Sequence, residues 1–203
     1  MVRSWMSLQI KLNFREMDNI FFDLNELKSC GKNVIIGKTV RIRYPELVEI
    51  GDDVVIDDFT YISTPLKIHS NVHIGAGCKI IGGKSAYVEM KDFSGLAQGV
   101  VLVAGTDDYI GGIGTPTLPV QFKGDVTVGK IILNKHCIIA CNAVVLPNVI
   151  LAEGACVGAL SLVNKSLEEY GLYGGVPAKL LRQRNKTQIL ELEQAYKKFK
   201  EEQ

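Results

Sequence analysis

The chain has almost no excess charge: a formal net charge of +1 over 203 residues gives no electrostatic case for a nucleic-acid partner or an anionic membrane. No apolar run approaches the roughly 18 residues that span a bilayer. The N-terminal stretch, with Trp5 and Met6 followed by Gln9 and Lys11, lacks the core of a secretory signal. A cytoplasmic location without membrane insertion is therefore expected. The five cysteines are odd in number and form no CxxC pair, which argues for reduced thiols with structural roles. No Gly-rich nucleotide-binding segment is present in the sequence, so a nucleotidyltransferase fusion is not expected. Histidine is scarce as well: His69, His73 and His136 are the whole supply.

What the chain has instead is a period of six. Leu133, Ile139, Val145, Leu151, Val157 and Val163 form an unbroken aliphatic ladder. The same register runs through Ile50, Ile56, Ile62, Ile68, Ile74 and Ile80, and again through Met90, Leu96 and Leu102. A hexapeptide period fits a parallel β-helix in which each unit supplies one short strand and a corner, and three units close a triangular coil of about 18 residues. One aliphatic side chain per wall then enters a narrow prism and stacks on its equivalents. A period of 3.6 is absent, and hairpin turns are missing from strings such as VEIGDDVVIDDF.

Three interruptions divide the chain. Residues 1–32 precede the repeat and are expected to cap the open first coil; residues 33–168 form the β-helix. Within it the string TDDYIGGIGTPTLPVQFKGD breaks out as an excursion loop over 103–127, too long to be a corner and of a kind that is usually functional. Residues 169–203 carry GLYGGVPAKLLRQR and then a helix whose apolar stripe is Ile189, Leu192, Tyr196 and Phe199. That helix is expected to cap the far end or to pack on a neighbour.

The ladder, the excursion loop and the closing GGVPAKLLRQR resemble the left-handed β-helix, hexapeptide-repeat acyltransferases. IDDF, VHIG, TDDY and GACVGALSLVNKSL are similar to a subgroup of galactoside or sugar O-acetyltransferases from surface-polysaccharide gene clusters. The resemblance implies a left-handed coil, a homotrimer with sites between subunits, and an acetyl-CoA donor. It further implies a sugar or nucleotide-sugar acceptor, with transfer to a hydroxyl. Transfer to the amine of an amino-sugar nucleotide is the alternative, and a silent trimerisation module is the competing class.

Acyl transfer needs a base for the acceptor's proton. His136 follows the loop's return at a corner, where its side chain is expected to project outward; His73 flanks rung Ile74 and turns to the outer face. Either could be the base, and His69 is left structural. A zinc centre is not expected, because His136 lies about three coils from the other two histidines. Asp107 and Asp108 open the loop where the family often has histidine. They either orient a histidine from another coil or, with Tyr109, bind the sugar. The resemblance places coenzyme A along Ala140, Asn142, Gly158, Ala159 and Ser161, with Pro177 and Ala178 at its adenine end. Lys165, Lys179, Arg182 and Arg184 are the cations for its phosphates.

Overall fold

The computed structural model describes residues 22–202. Its body is a triangular prism of three parallel walls. Ser29–Cys30, Val48–Ile50, Leu66–Ile68, Tyr87–Met90, Lys130–Leu133 and Val149–Leu151 stack as the first wall. Val34–Ile36, Val54–Ile56, Val72–Ile74, Gly95–Leu96, Ile138–Ile139, Cys156–Val157 and Gly171–Gly174 make the second. Arg41–Ile42, Tyr61–Ser63, Lys79–Ile81, Val101–Val103, Val144–Val145 and Leu162–Val163 make the third. Six coils are thus complete and a seventh is begun.

Every rung of the six-residue ladder is inside: Ile50, Ile56, Ile62, Ile68, Ile74, Ile80, Met90, Leu96, Leu102, Leu133, Ile139, Val145, Leu151, Val157 and Val163 are all buried. Burying one such side chain is worth roughly 1.5–3 kcal/mol, and stacking makes the core continuous although no coil could stand alone. Cys78 and Cys137 sit two places before a rung, fully buried, and burial pushes their thiols up to about 11 and about 12. They are packing residues. The five cysteines are all unpaired.

The core begins earlier than the expected residue 33. Leu27 is buried, Phe22 and Leu24 pack against the core, and Ser29–Cys30 already pairs with Glu49 and Ile50. The cap expected over 1–32 lies mostly outside the described residues.

Corners impose left-handed backbone. Along the edge between the first and second walls these residues are Asn33, Asp53, Asn71, Phe93, His136, Gly154 and Tyr170, a column with one side chain above the next. Asn and Asp tolerate positive φ through their short polar side chains. The helix Lys186–Glu201, capped by Asn185 accepting from the Gln188 amide, lies on this column. It does not close the far end. Sixteen residues rising 1.5 Å each cover about 24 Å, matching five coil spacings of about 4.8 Å from Tyr170 back to Asp53.

Its contacts are mainly polar, because the column offers carboxylate, amide and imidazole groups. Lys200 Nζ reaches Asp53 at 3.1 Å, the Tyr196 hydroxyl donates to Asn71 Oδ1 at 2.6 Å, and Glu193 reaches His136 at 2.7 Å. Glu193 is the helix's buried residue, whereas Leu192 and Phe199 of the expected apolar stripe are exposed. The far end is extended by a hairpin, Lys179–Gln183 pairing antiparallel with Gly171–Gly174.

Candidate active site

His136 does not project to solvent. It lies beneath the helix with Nε2 at 2.7 Å from Glu193 Oε2, and its ring stacks on Phe93 at 5.2 Å between centroids and 6° between planes. Tyr196 meets Phe93 edge-on. Glu193 also takes Lys135 at 2.6 Å and Lys197 at 2.7 Å. Burial alone would raise the Glu193 carboxyl, but these two lysines and His136 outweigh it and bring it down to about 2. The arrangement fastens a helix, and the corner that carries His136 belongs to a different edge from the one that launches the loop.

His73 is the histidine open to solvent on the second wall, with 56% of its side chain exposed. Its Nε2 lies 2.9 Å from Oδ2 of Asp57, one coil below. Directly above it on the outer face is Gly95, then Ile138. Lacking a side chain, Gly95 leaves a notch in a groove of about 440 Å³ lined by His73, Ser94, Gln98 and Ile138. Ser94 Oγ is buried there without a hydrogen-bond partner among the described residues. His69, by contrast, is held by Glu89 at 2.8 Å across the first wall.

The edge between the second and third walls carries Gly77, Gly99, Asn142, Leu160 and Gly175 in left-handed backbone. Ala140 and Asn142 belong to its fifth-coil corner, Gly158 and Ala159 to its sixth, and Gly175, Val176 and Pro177 to its seventh. Counted from the His73 coil, that is four spacings, about 19 Å of small residues and exposed backbone. Lys179 follows at the top. The other expected contacts are buried, dispersed or engaged by the chain itself. Ser161 is buried, its hydroxyl accepting from the Gly175 amide at 3.1 Å. Lys165 is exposed at the third-to-first-wall corner, and Arg182 stands opposite Leu172 in the hairpin. Arg184 donates to the main-chain carbonyls of His136 and Gly154 at 2.9 and 2.5 Å. The four cations are therefore scattered rather than gathered around one phosphate.

The excursion loop leaves the third edge on a short antiparallel stem, Gly105–Thr106 against Thr127–Val128. Its acidic pair divides. Both oxygens of Asp108 are committed, Oδ1 accepting from the Ile110 and Gly111 amides and Oδ2 from that of Asp125, and these bonds hold its carboxyl below the usual range. Asp108 closes the loop through these three amides. Asp107 has no side-chain partner among the described residues, and neither acid meets a histidine of its own chain. The Tyr109 hydroxyl accepts from Thr106 Oγ1 at 2.7 Å while the ring stays exposed. The loop's two limbs cross at Gly112, where a Cβ would stand 2.0 Å from the Lys123 carbonyl oxygen.

Sequence reasoning missed Asp57 and Glu193. Asp57 was findable, since a coil of about 18 residues brings it beside His73, sixteen positions on. Glu193 carried no signal, because its partners are fixed only by where the helix lies.

Comparison with known proteins agrees with this architecture. The family profile "Bacterial transferase hexapeptide (six repeats)" matches residues 48–82. The dTDP-4-amino-4,6-dideoxy-D-glucose acyltransferase of Escherichia coli is 34% identical over 186 residues, spanning 89% of this chain and 94% of the relative. AntD, an N-acyltransferase from Bacillus cereus solved with dTDP and 3-hydroxybutyryl-CoA, superimposes with a TM-score of 0.84 at 36% identity, covering 91% of this chain and 100% of that one. A variant of AntD in complex with dTDP-4-amino-4,6-dideoxyglucose and coenzyme A gives 0.83 at 37% identity, over 89% and 98%. With relatives matching nearly its whole length on the same stacked coils, the chain belongs to the hexapeptide-repeat acyltransferases, built on the left-handed parallel β-helix.

Proposed function

We propose that this protein transfers an acyl group from a coenzyme A thioester to the amino group of a nucleotide-linked amino sugar, acting as a homotrimer in the cytoplasm. The observation that carries the reading is the exposed His73–Asp57 pair at the foot of a groove of small residues that climbs the neighbouring edge. The relatives support an amine over the hydroxyl acceptor expected from the sequence, since both named enzymes carry amino-sugar or N-acyl chemistry in their names.

In this reading pantetheine lies along Ala140, Asn142, Gly158 and Ala159, where no bulky side chain blocks a thin chain, and Pro177, Ala178 and Lys179 stand at its far end. Asp57 holds one nitrogen of the His73 ring and leaves the other for the acceptor. The amine attacks the thioester carbonyl while His73 takes its proton. The C–N bond forms, the C–S bond breaks, and the proton passes to the departing thiolate. Asp107, whose carboxylate is unengaged, is the acid available to hold the acceptor.

The test is a thiol-release assay with acetyl-CoA and 3-hydroxybutyryl-CoA against dTDP-4-amino-4,6-dideoxyglucose and a matched sugar nucleotide bearing a hydroxyl at that carbon. Release with the amine alone is expected. Release only with the hydroxyl compound would overturn the amine assignment, and a monomer by light scattering would overturn the trimer.

A further inference from the structure

The groove that holds His73 crosses the second wall rather than following an edge. Ala97 and Gln98 line its end at the second-to-third edge, and Asn71 and Phe93 line the other end, beside the helix. The Asn142 amide donates to the Gln98 carbonyl at 3.0 Å, so the first end opens directly below the small residues proposed for the donor. The second end is walled. His136 stacks on the Phe93 ring, Tyr196 meets that ring edge-on, and the Tyr196 hydroxyl donates to Asn71.

Gly95 stands in the middle of this crossing, and nothing in the fold calls for a glycine there. At the equivalent outward positions the wall carries Ile35, Val55, His73, Ile138, Cys156 and Leu172, so Gly95 alone lacks a side chain among the described residues of that column. Its backbone is not left-handed. A Cβ would meet the His73 carbonyl oxygen at 3.5 Å and Ile138 Cδ1 at 3.6 Å, both ordinary contacts. Glycine weakens a strand and marks places where a ligand or another backbone approaches closely. Around the notch Ile138 and Phe93 supply apolar surface, and no lysine or arginine lines the groove among the described residues. That chemistry suits a hydrocarbon chain and not a phosphate.

We propose that the acyl chain of the donor thioester lies across Gly95, running from Ala97 and Gln98 toward Phe93, and that Gly95 and Ile138 thereby select a short acyl group longer than acetyl. The inference rests on the acyl-transfer reading above. With the sulfur at the donor edge and the carbonyl carbon beside His73, the remaining substituent of that carbon points away from the sulfur, toward Phe93. From Gly95 to Phe93 is two residues, about 7 Å at the rise of a strand. That is room for a few carbons and too little for a fatty chain. Phe93, clamped between His136 and Tyr196, ends the run, so the terminal helix sets its length.

The experiment titrates coenzyme A, acetyl-CoA, butyryl-CoA and octanoyl-CoA into wild type, Gly95→Ala, Gly95→Val and Ile138→Ala, and needs no acceptor. Wild type is expected to bind butyryl-CoA roughly tenfold more tightly than acetyl-CoA, since each buried methylene is worth about fourfold, and to gain nothing further from octanoyl-CoA. Gly95→Ala should cut the butyryl advantage severalfold and Gly95→Val should abolish it, whereas Ile138→Ala should let octanoyl-CoA gain. Gly95→Ala should melt no lower than wild type, because its Cβ fits without displacement, so the loss is not unfolding.

A butyryl-to-acetyl ratio within twofold of wild type in both Gly95 variants, or no butyryl advantage in wild type, would overturn the assignment. A further tenfold gain from octanoyl-CoA in wild type would overturn the stop at Phe93. Weaker thymidine diphosphate binding in Gly95→Val with the acyl ratio unchanged would give the notch to the acceptor. Altered assembly by light scattering with that ratio unchanged would give it to a neighbouring copy, and either result overturns the proposal. Failure of wild type to bind coenzyme A would instead sink the acyl-transfer reading.

Discussion

Nε2 of His73 and Oδ2 of Asp57 lie 2.9 Å apart across two consecutive coils, on a face where both side chains meet solvent. A side-chain pair so exposed contributes little to stability, so its removal should register in catalysis. His73→Ala is expected to lower kcat by roughly two to four orders of magnitude, the range for a lost general base. Asp57→Asn should cost on the order of tenfold, with thermal stability and coenzyme A affinity retained. A loss below threefold in His73→Ala would remove it from the role.

The opposite pattern is expected at Glu193. Its removal strands His136 and Lys135 beneath the helix, and breaking such a buried cluster costs on the order of 3 kcal/mol. Glu193→Ala should therefore melt at a clearly lower temperature while the folded fraction turns over normally. Chemical denaturation alongside kcat measures both. Unchanged stability would contradict the helix-fastening role.

The same carboxylate gives the fold an acid limit. Its pKa of about 2 lies below the ordinary carboxylate value, so the stabilisation is fully present above roughly pH 4.5 and is lost as pH falls through about 2. Melting temperatures of wild type and Glu193→Gln should accordingly converge over that window. A gap that stays constant down to pH 2 would contradict the linkage.

Gly112 and Asp108 hold the excursion loop in shape without touching the prism core. Gly112→Val drives a side chain into the Lys123 carbonyl, and Asp108→Ala frees three amides. Both should raise KM for the acceptor several-fold while coenzyme A affinity and the melting temperature hold, because the loop forms no part of the groove edge. Calorimetry and initial rates separate these effects. A change in coenzyme A affinity would mean that the loop also shapes the donor site.

The sequence made the prism legible because one physical constraint, a dry interior with a slot for one aliphatic side chain per wall, acts every six residues. Ile50 through Val163 obey it without reference to anything distant. Ala140, Asn142, Gly158 and Ala159 were singled out by the family resemblance, and the coil register sets them along one edge. The burial of His136 was not legible because the repeat places its corner but says nothing of what lies over it. The covering element begins fifty residues later and docks through Glu193 rather than through its apolar stripe. The contacts of Arg184 were hidden for the same reason: its partners are main-chain carbonyls, which carry no side-chain signature. Asp108 differs from Asp107 only in local turn geometry, which adjacent identical residues conceal.

Stacked-coil proteins ordinarily behave as linear arrays in which each layer knows only its neighbours, so they can fray from either end. Here the terminal helix runs back across that array and ties Asp53 to Lys200, 147 positions away, and Asn71 to Tyr196, 125 away. Early layers cannot loosen without releasing the late segment, and the late segment cannot dock until both ends exist. The tether thus turns a zipper into a ring, in which the last residues of the chain bear on its earliest layers.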